Sequence, residues 1–320
     1  SLLAERDILD NNGGGTLNVV AATLRMVADS NSDQDGQIGQ ANTSNTATAN
    51  DKAIDTQVTT LAAKSADGIY VLETDALTID STGDISVEQV NFNSTTTTVT
   101  DASLSDLETT DAGPIKVVTA AGTLTINEGD ADDTGVIAAT SGNVLLEARG
   151  AAGDVVLNAD VTSGSGHITI VAGDDVDQNA DIATGGTGTI YVSAANGTVD
   201  GAPNDGINMA SGTSTTSGGC GTSRLSSFPI AASNSRIVSM RAVPCVTSVS
   251  WSSPSISRLV ISVTVLSRFE RSCSNSSSCC ASGTPRSGSE RCRRALNVST
   301  VSPCSCSRGS SSASVCLRAA

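Results

Sequence analysis

The sequence predicts an all-β protein, a parallel β-solenoid followed by an irregular tail, and three observations lead to this prediction. A glycine-led phrase recurs between residues 68 and 200. Within the phrases, aliphatic residues alternate with polar ones, which is the period of a strand with one buried face. Aromatic residues make up only 2% of the chain. The core must therefore be built from small aliphatic side chains stacked unit on unit, as in repeat proteins.

Charge divides the chain into two unlike parts. Residues 1–219 contain 31 acidic and 6 basic residues, whereas residues 220–320 contain 2 acidic residues and 12 arginines. All nine cysteines lie in the second part. Strong acidity disfavours nucleic acid as a partner, and no apolar run reaches the length of a membrane span. We therefore expect no nucleic-acid partner and no membrane insertion. Because the chain begins with Ser, we also expect it to be a fragment.

Residues 1–67 are expected to form the N-terminal part of the solenoid with a polar insertion. The segment LNVVAATLRMVAD (17–29) has a composition that a helix could use, but Val19, Val20 and the surrounding Thr, Asn and Gly also suit strands. We favour strands here. The segment QANTSNTATANDK (40–52) is expected to be a polar loop or an outward insertion.

Residues 68–215 are expected to form the regular coils. From Gly113 onward the phrases begin 29, 24 and 22 residues apart, and a second glycine opens another short strand within each phrase. Glycine and Asn/Asp mark the corners, where a positive φ or a tight turn is needed. The phrases are GIYVLETDALTI (from Gly68), GDISVEQV (from Gly83), GPIKVVTAAGTLTI (from Gly113), GNVLLEARGAAGDVVL (from Gly142), GHITIVAGDDVDQNADI (from Gly166) and GTIYVSAANGTVDG (from Gly188).

The alternation predicts which side chains of these strands point inward. A β-sandwich of short strands is the alternative fold, and repetition in sequence as well as in spacing favours the solenoid. The aliphatic pairs expected inside are Ile115/Val117, Val144/Leu146, Ile168/Ile170 and Ile190/Val192.

Several of these segments resemble the repeats of large bacterial surface exoproteins of the filamentous-haemagglutinin type. They are AIDTQVTTLAAKSADGIYVLE, SVEQVNFNSTTTTVTDASLSDLETT, VLNADVTSGSGHITI and DVDQNADIATGGTGTIYV. The resemblance covers roughly residues 1–215 and rests on repeat style. It implies a right-handed parallel β-helix, secreted across the outer membrane of a Gram-negative-type bacterium with a secretion partner, that acts as an adhesin or surface scaffold.

The tail, residues 216–320, is rich in Ser, Arg and Cys and resembles no family. Its cysteines show no CxxC pair, and the single histidine of the chain, His167, lies outside it, so no zinc signature is present. One interpretation is a genuine domain. The interpretation that we favour is a disordered, frameshifted or antisense-derived segment. The DNA strand complementary to the codons of WSSPSISRLVISVTVLS (251–267) would encode mainly Asp, Thr, Ile and Gly, as in the N-terminal repeats.

One loop carries the residue pattern of a calcium site. Asn31, Asp33 and Asp35 place oxygen-bearing side chains at alternate positions before Gly36, as in the first half of an EF-hand loop. The twelfth position is Asn42 rather than a bidentate Glu. Calcium is therefore the one cofactor that the sequence suggests, and an Asp/Gly turn between strands is the alternative. Two further acidic groups are expected at solenoid corners, either as a solvated acidic edge, which we favour, or as loose calcium sites: Asp130/Asp132/Asp133 and Asp174/Asp175/Asp177.

The function that the sequence favours is structural, without catalysis. We expect a rod segment of a secreted or surface-displayed bacterial exoprotein whose partners are host or matrix glycans or proteins. A calcium- or glycan-binding extracellular module is the second hypothesis, and a β-helix polysaccharide-degrading enzyme is the third. A lyase would need a base, for which Lys116 and Arg149 are available, while His167 is expected to face solvent.

Overall fold

The structure is a computed structural model that describes residues 1–45, 52–195 and 206–219, together with the backbone of 224–227 and 249–250. Every regular element within these residues is a β-strand, and none is a helix. The predicted all-β class is therefore confirmed. Most of the predicted tail at 216–320 and part of the polar insertion at 40–52 lie outside the described residues.

The described strands form one large sheet wound around an axis and a separate two-stranded hairpin. The strands through the hairpin are β1 (Leu2–Leu3), β2 (Val19–Val27), β3 (Gln37–Ile38), β4 (Ile54–Ser65), β5 (Gly68–Glu73), β6 (Leu77–Ile79), β7 (Ile85–Val90) and β8 (Thr96–Asp101). The strands after it are β9 (Leu107–Thr109), β10 (Ile115–Thr119), β11 (Leu124–Ile126), β12 (Thr134–Ala138), β13 (Val144–Ala148), β14 (Val155–Leu157), β15 (Asp160–Ser163), β16 (Ile168–Ala172), β17 (Val176–Gln178), β18 (Ile182–Thr184), β19 (Ile190–Ala194), β20 (Ile207–Met209), β21 (Ser214–Ser217), β22 (Arg224–Ser227) and β23 (Val249–Ser250).

In the regular region each strand pairs in parallel with the strand three places further along the chain. On one face β10 pairs with β13, β13 with β16 and β16 with β19, always in register. The other two faces repeat the pattern as β11–β14–β17–β20 and as β12–β15–β18–β21. A β-sandwich would pair chain neighbours antiparallel. The predicted parallel solenoid is therefore confirmed, with three strands in each coil.

Small aliphatic side chains stack into continuous columns inside the coils. All the residues predicted to point inward are buried, and each is at most 2% exposed. Equivalent positions of neighbouring coils are about 4.8 Å apart, so each side chain contacts the one above and the one below. Burying one such side chain contributes roughly 1.5–3 kcal/mol. This arrangement explains how a chain so poor in aromatic residues forms a core.

The leading glycines of successive coils lie directly over one another. A Cβ atom on Gly142 would overlap the carbonyl oxygen of Gly113, and one on Gly166 would overlap the carbonyl oxygen of Gly142. These three glycines do not have positive φ angles. The close approach of consecutive coils, rather than a left-handed turn, is the reason that glycine is needed at this corner.

Two features differ from the sequence-based expectation. The phrase at Gly83 is not part of a coil, because its strand β7 pairs antiparallel with β8 in an exposed hairpin. Each coil also has a third strand that the two-glycine pattern did not predict, as in β12, β15 and β18. In contrast, residues 19–27 form strand β2, as predicted.

Candidate functional site

Two groups of carboxylates come together at the surface of the solenoid. In each group, three side chains place carboxylate oxygens within 4.8 Å of one another. We call Asp29, Asp33 and Asp35 the loop cluster, and Asp106, Asp130 and Asp132 the two-coil cluster. Calcium takes six to eight oxygen ligands at about 2.3–2.6 Å, so two of its ligands lie up to about 5 Å apart. Both clusters satisfy this requirement on spacing.

The loop cluster contains two of the three residues that the sequence suggested. Asp33 and Asp35 come together, and Asp29, which sequence reasoning missed, joins them. Asn31 turns its amide nitrogen toward the cluster and donates to Asp33 Oδ2 at 2.9 Å. The elements on either side are strands β2 and β3, whereas an EF-hand has helices there. A calcium ion at Asn31, Asp33 and Asp35 stays a prediction.

The loop cluster already has a basic partner. Arg6 Nε lies 3.6 Å from Asp35 Oδ2 and 3.5 Å from Asp7 Oδ2. Asp29 Oδ1 accepts a hydrogen bond from the backbone N–H of Gln34 at 3.1 Å. Asp33 is exposed, and the Asp35 side chain is about half exposed. Solvent, the guanidinium and the loop backbone thus already stabilise part of this negative charge.

The two-coil cluster is assembled by the register of the sheet. Asp106 immediately precedes β9, whereas Asp130 and Asp132 lie in the turn between β11 and β12. Because β9 pairs with β12 in register, with Leu107 beside Val136, the residue before β9 is carried next to the turn that precedes β12. Sequence reasoning identified the turn but missed Asp106, since only the coil register could connect it to residues more than twenty positions away.

Asp106 differs from the other acids of the cluster because it is buried. Asp106 is only 4% exposed, and its Oδ1 accepts no hydrogen bond from any described residue. Its backbone has a φ of 66°, in the left-handed region that Asp and Asn tolerate better than most residues. Glu128, at the start of the turn, has a second buried oxygen, Oε2, in the same condition.

The electrostatics of the two-coil cluster follow from this burial. Burial raises the pKa of Asp106 to about 6, and the negative charges of Asp130, Asp132 and Glu128 act in the same direction, while the Ser105 hydroxyl opposes them. Within the described residues, none of these four carboxylates forms an ion pair with a basic side chain. The cluster therefore concentrates negative charge around one buried oxygen.

The third acidic group that the sequence suggested uses its carboxylates differently. Asp175 Oδ1 accepts a hydrogen bond from the backbone N–H of Gly206, and Asp177 Oδ1 accepts one from the Asn208 side chain at 2.9 Å. These donors belong to the next coil. Asp174, Asp175 and Asp177 do not meet as a metal-binding group in the described part of the chain. Asp175 and Asp177 instead join neighbouring coils by hydrogen bonds.

The basic residues weighed for lyase chemistry lie apart. Lys116 is paired across the sheet with Leu145, four residues before Arg149. Arg149 Nε lies 3.1 Å from Glu147 Oε1 in an ion pair. His167 is exposed, as predicted, and its Nδ1 lies 2.8 Å from the Thr189 hydroxyl in the next coil. The structure gives each of these residues a local structural contact.

Comparison with known proteins adds no relative. No family model matches the chain, and neither the curated proteins nor the solved structures include a significant match. No α-helix with the length and hydrophobicity of a bilayer span occurs among the residues described.

Proposed function

We propose that this chain is a structural and adhesive rod segment of a secreted or surface-displayed bacterial exoprotein. The observation that carries the proposal is the in-register parallel stack from β5 through β10, β13, β16 and β19 to β22. A stack of this kind grows by identical pairing at each step, so it forms a rod whose length is set by the number of coils. Its place outside the cell rests on the resemblance of its repeats to filamentous-haemagglutinin-type proteins.

The β7–β8 hairpin supports an adhesive role for the rod. It interrupts the stack between β6 and β9 and places apolar side chains in solvent, with Val87, Val90 and Phe92 all exposed. Phe92 lies in the turn between the strands and is fully exposed. An exposed aromatic residue on a projecting loop, carried by a rigid scaffold, is typical of a contact surface for a glycan or protein.

Cell and matrix binding by the full chain tests this proposal. Beads coated with the wild-type chain should bind host cells or immobilised matrix glycans and proteins, and the double variant Val90→Thr/Phe92→Ser should lose most of this binding, by about tenfold. Two exposed apolar contacts of this size are worth roughly 1–2 kcal/mol, which corresponds to that factor. The variant should keep the melting temperature, because both side chains lie in solvent.

The matched control is Val20→Thr, since Val20 is an exposed apolar residue that lies on β2 and not on the hairpin. It should bind as well as the wild type. Small-angle X-ray scattering of the same purified chains in solution should show an elongated particle. A compact particle, or wild-type beads that bind no better than uncoated beads to any of these surfaces, would contradict the proposal.

A further inference from the structure

The two-coil cluster brings together acids from two consecutive coils at the base of the hairpin. Asp106 follows the chain's return from β8, and the Glu128–Asp132 turn belongs to the next coil. Asp106 Oδ1 faces this turn closely enough that a Cβ atom on Gly129 would lie 3.0 Å from it. The buried oxygen is therefore directed at the turn that carries the other two carboxylates.

Some carboxylate oxygens of this turn accept hydrogen bonds from its own backbone N–H groups. Glu128 Oε1 accepts from the backbone N–H groups of Asp130 and Asp132, at 3.1 and 3.2 Å. Asp130 Oδ1 accepts from the N–H of Ala131 at 2.7 Å, and Asp132 Oδ1 accepts from the N–H of Thr134 at 2.9 Å. These bonds fix the turn, in which Asp130 and Asp132 each place one carboxylate oxygen within 4.8 Å of an oxygen of Asp106.

The buried oxygen of Asp106 is the observation that separates this cluster from an ordinary acidic surface. A buried carboxylate oxygen without a donor loses its hydration and gains nothing in return, at a substantial cost in stability. An exposed acidic edge needs no ligand, but the buried Asp106 Oδ1 faces the turn that carries two further carboxylates and has no positive charge beside it to compensate its own. The chain supplies no such charge from its described residues.

We propose that Asp106, Asp130 and Asp132 bind a calcium ion that joins the coil of β9 to the coil of β11 and β12. The proposed metal ligands are all carboxylate oxygens, which disfavours zinc, because structural zinc sites use sulfur and nitrogen ligands. Carboxylate oxygens spaced up to 4.8 Å apart fit calcium, while magnesium requires a tighter octahedron at about 2.0–2.1 Å. Glu128 adds a fourth negative charge beside the ion.

The ion would also order the base of the hairpin. The chain re-enters the coil through Ser103, Leu104 and Ser105. There the Leu104 carbonyl accepts from the N–H of Thr82 at 2.9 Å, and the Ser105 hydroxyl donates to Asp130 Oδ2 at 2.9 Å. Because Asp130 is a proposed ligand, calcium would hold the returning strand against the next coil. This calcium site is independent of the adhesive role, and either proposal can fail alone.

Calorimetric titration of the full chain with CaCl₂, in a reducing buffer, tests the site. The wild type should bind calcium with a dissociation constant between about 0.1 and 1 mM, the range of extracellular modules. Asp106→Asn should weaken the binding at this site at least tenfold. Asn keeps the size of the side chain and tolerates the positive φ, so the backbone should be preserved.

Asp133→Asn is the matched control. It removes one charge from the same turn at a residue with a φ of 66°, yet the Asp133 side chain is not one of the cluster and acts on Asp160 of the following coil. It should bind calcium as the wild type does. Asp33→Asn, in the loop cluster, identifies any heat that comes from that cluster instead.

Thermal unfolding provides a second measurement that does not depend on heats of binding. At 5 mM calcium the melting temperature of the wild type and of Asp133→Asn should rise by about 3–8 °C over that in EDTA, and that of Asp106→Asn should not. If Asp106→Asn misfolds, the exposed variant Asp130→Asn replaces it and should weaken binding likewise. The proposal is overturned if the wild type does not respond to 10 mM calcium, or if the Asp106 and Asp130 variants respond as it does.

Discussion

Two buried acids show how differently the solenoid treats a carboxylate. Glu73 is fully buried, and its Oε2 accepts from the Thr56 hydroxyl at 2.7 Å and from the N–H of Val58 at 3.0 Å, while its Oε1 accepts from the N–H of Thr74. Asp106 is also buried, but its Oδ1 accepts no hydrogen bond from the described residues. Burial raises the pKa of both side chains. Because both oxygens of Glu73 accept hydrogen bonds, Asp106 is the less well stabilised charge of the two.

The unusual pKa of Asp106 predicts a direction for the stability of the chain with pH. An aspartate whose folded pKa is about 6 binds its proton more tightly in the folded state than in the unfolded state, where the pKa is near 3.9. Its stabilising effect is therefore complete below pH 4 and is lost as the pH rises through 6. The expected loss is roughly 2 kcal/mol, or a fall of about 4–8 °C in melting temperature.

Melting temperatures measured in EDTA between pH 4.5 and 8 test this prediction. Asp106→Asn should flatten the curve because it removes one titrating group, although a slope from Glu73, Asp154 and Asp160 should remain, since burial also raises the pKa of these three side chains. Asp133→Asn should keep most of the wild-type slope, because its charge raises the pKa of Asp160 and not that of Asp106. If the melting temperature of Asp106→Asn depends on pH as steeply as that of the wild type, Asp106 is not the group whose titration causes the loss of stability.

Among the elements, the corner at the start of each coil is the most tightly constrained. The leading glycines overlie one another, and hydroxyl groups close the same corner. Ser65 donates to the Gly68 carbonyl at 2.9 Å, Thr109 to that of Gly113 at 2.8 Å, and Ser163 to that of Gly142 at 2.8 Å. Each of these corners is thus held by a hydrogen bond from a Ser or Thr hydroxyl to a glycine carbonyl. A side chain in place of the glycine would push the two groups apart.

Replacing a leading glycine should therefore destabilise the whole stack. In Gly166→Ala the new Cβ would overlap the Gly142 carbonyl, so the two coils must move apart and strain the pairing of β13 with β16. We expect a loss of about 2–4 kcal/mol in the free energy of unfolding, from overpacking and a weakened hydrogen bond at the corner. Urea unfolding followed by circular dichroism measures it.

The control for this prediction is Gly83→Asn. Gly83 has a φ of 63°, a Cβ atom added there would have open space around it to 4 Å, and Asn tolerates this backbone conformation. The change should cost less than about 1 kcal/mol. If Gly166→Ala costs as little as the control, then crowding between coils is not what selects glycine at this corner.

The same elements show how much of the fold could be predicted from the sequence. The strands β10, β13, β16 and β19 were predictable because each follows a glycine and alternates over five residues. The third strands were not, since β18 is only Ile182–Thr184 and carries no such signal. β7 was wrongly assigned to a coil because aliphatic and polar residues alternate in ISVEQV as regularly as in the coil strands. Its local pattern is the same, and only its pairing with β8 places it outside the stack.

The candidate sites show the same limit. Asp33 and Asp35 lie two residues apart in one loop, so a local pattern could bring them together. Asp106 and Asp130 meet only because β9 and β12 pair in register. A contact between coils depends on the length of every intervening turn, and that length varies along this chain. Predicting it would require the coil register to be known first.

At the scale of the whole molecule, the core changes in character toward the last described coil. The column that contains Ile79, Ile126 and Leu157 continues with Gln178. The column that contains Leu107, Val136, Val161 and Ile182 continues with Thr215. Gln178 and Thr215 are buried, and the Thr215 hydroxyl donates to Gln178 Oε1 at 3.0 Å. A polar pair thus replaces two aliphatic contacts where the regular stack approaches residue 219.

This gradient predicts that the rod does not open uniformly. In a stack whose units contact only their neighbours, each coil contributes its own stability and that of its two interfaces. Amide hydrogen exchange should therefore be slowest in β10, β13 and β16, which lie in the aliphatic part of the stack, and faster in β20 and β21. Equal protection along the whole stack would show that the polar pair does not weaken the last coil.

Substitutions at Gln178 and Thr215 test how much the polar pair contributes to the last coil. Gln178→Leu alone leaves the buried Thr215 hydroxyl without its acceptor and should destabilise the last coil by about 1–3 kcal/mol. Gln178→Leu together with Thr215→Val removes the hydroxyl as well as its acceptor and should recover about 1 kcal/mol of this loss, while the Ala180 and Ser214 carbonyls lose the Gln178 amide donor in both variants. The cycle of two single variants and the double variant measures their coupling by urea unfolding and hydrogen exchange. Additive effects of the two changes would mean that the hydroxyl and the amide do not act as a unit, and that Gln178 contributes through its bonds to the Ala180 and Ser214 carbonyls, at 3.1 and 2.9 Å.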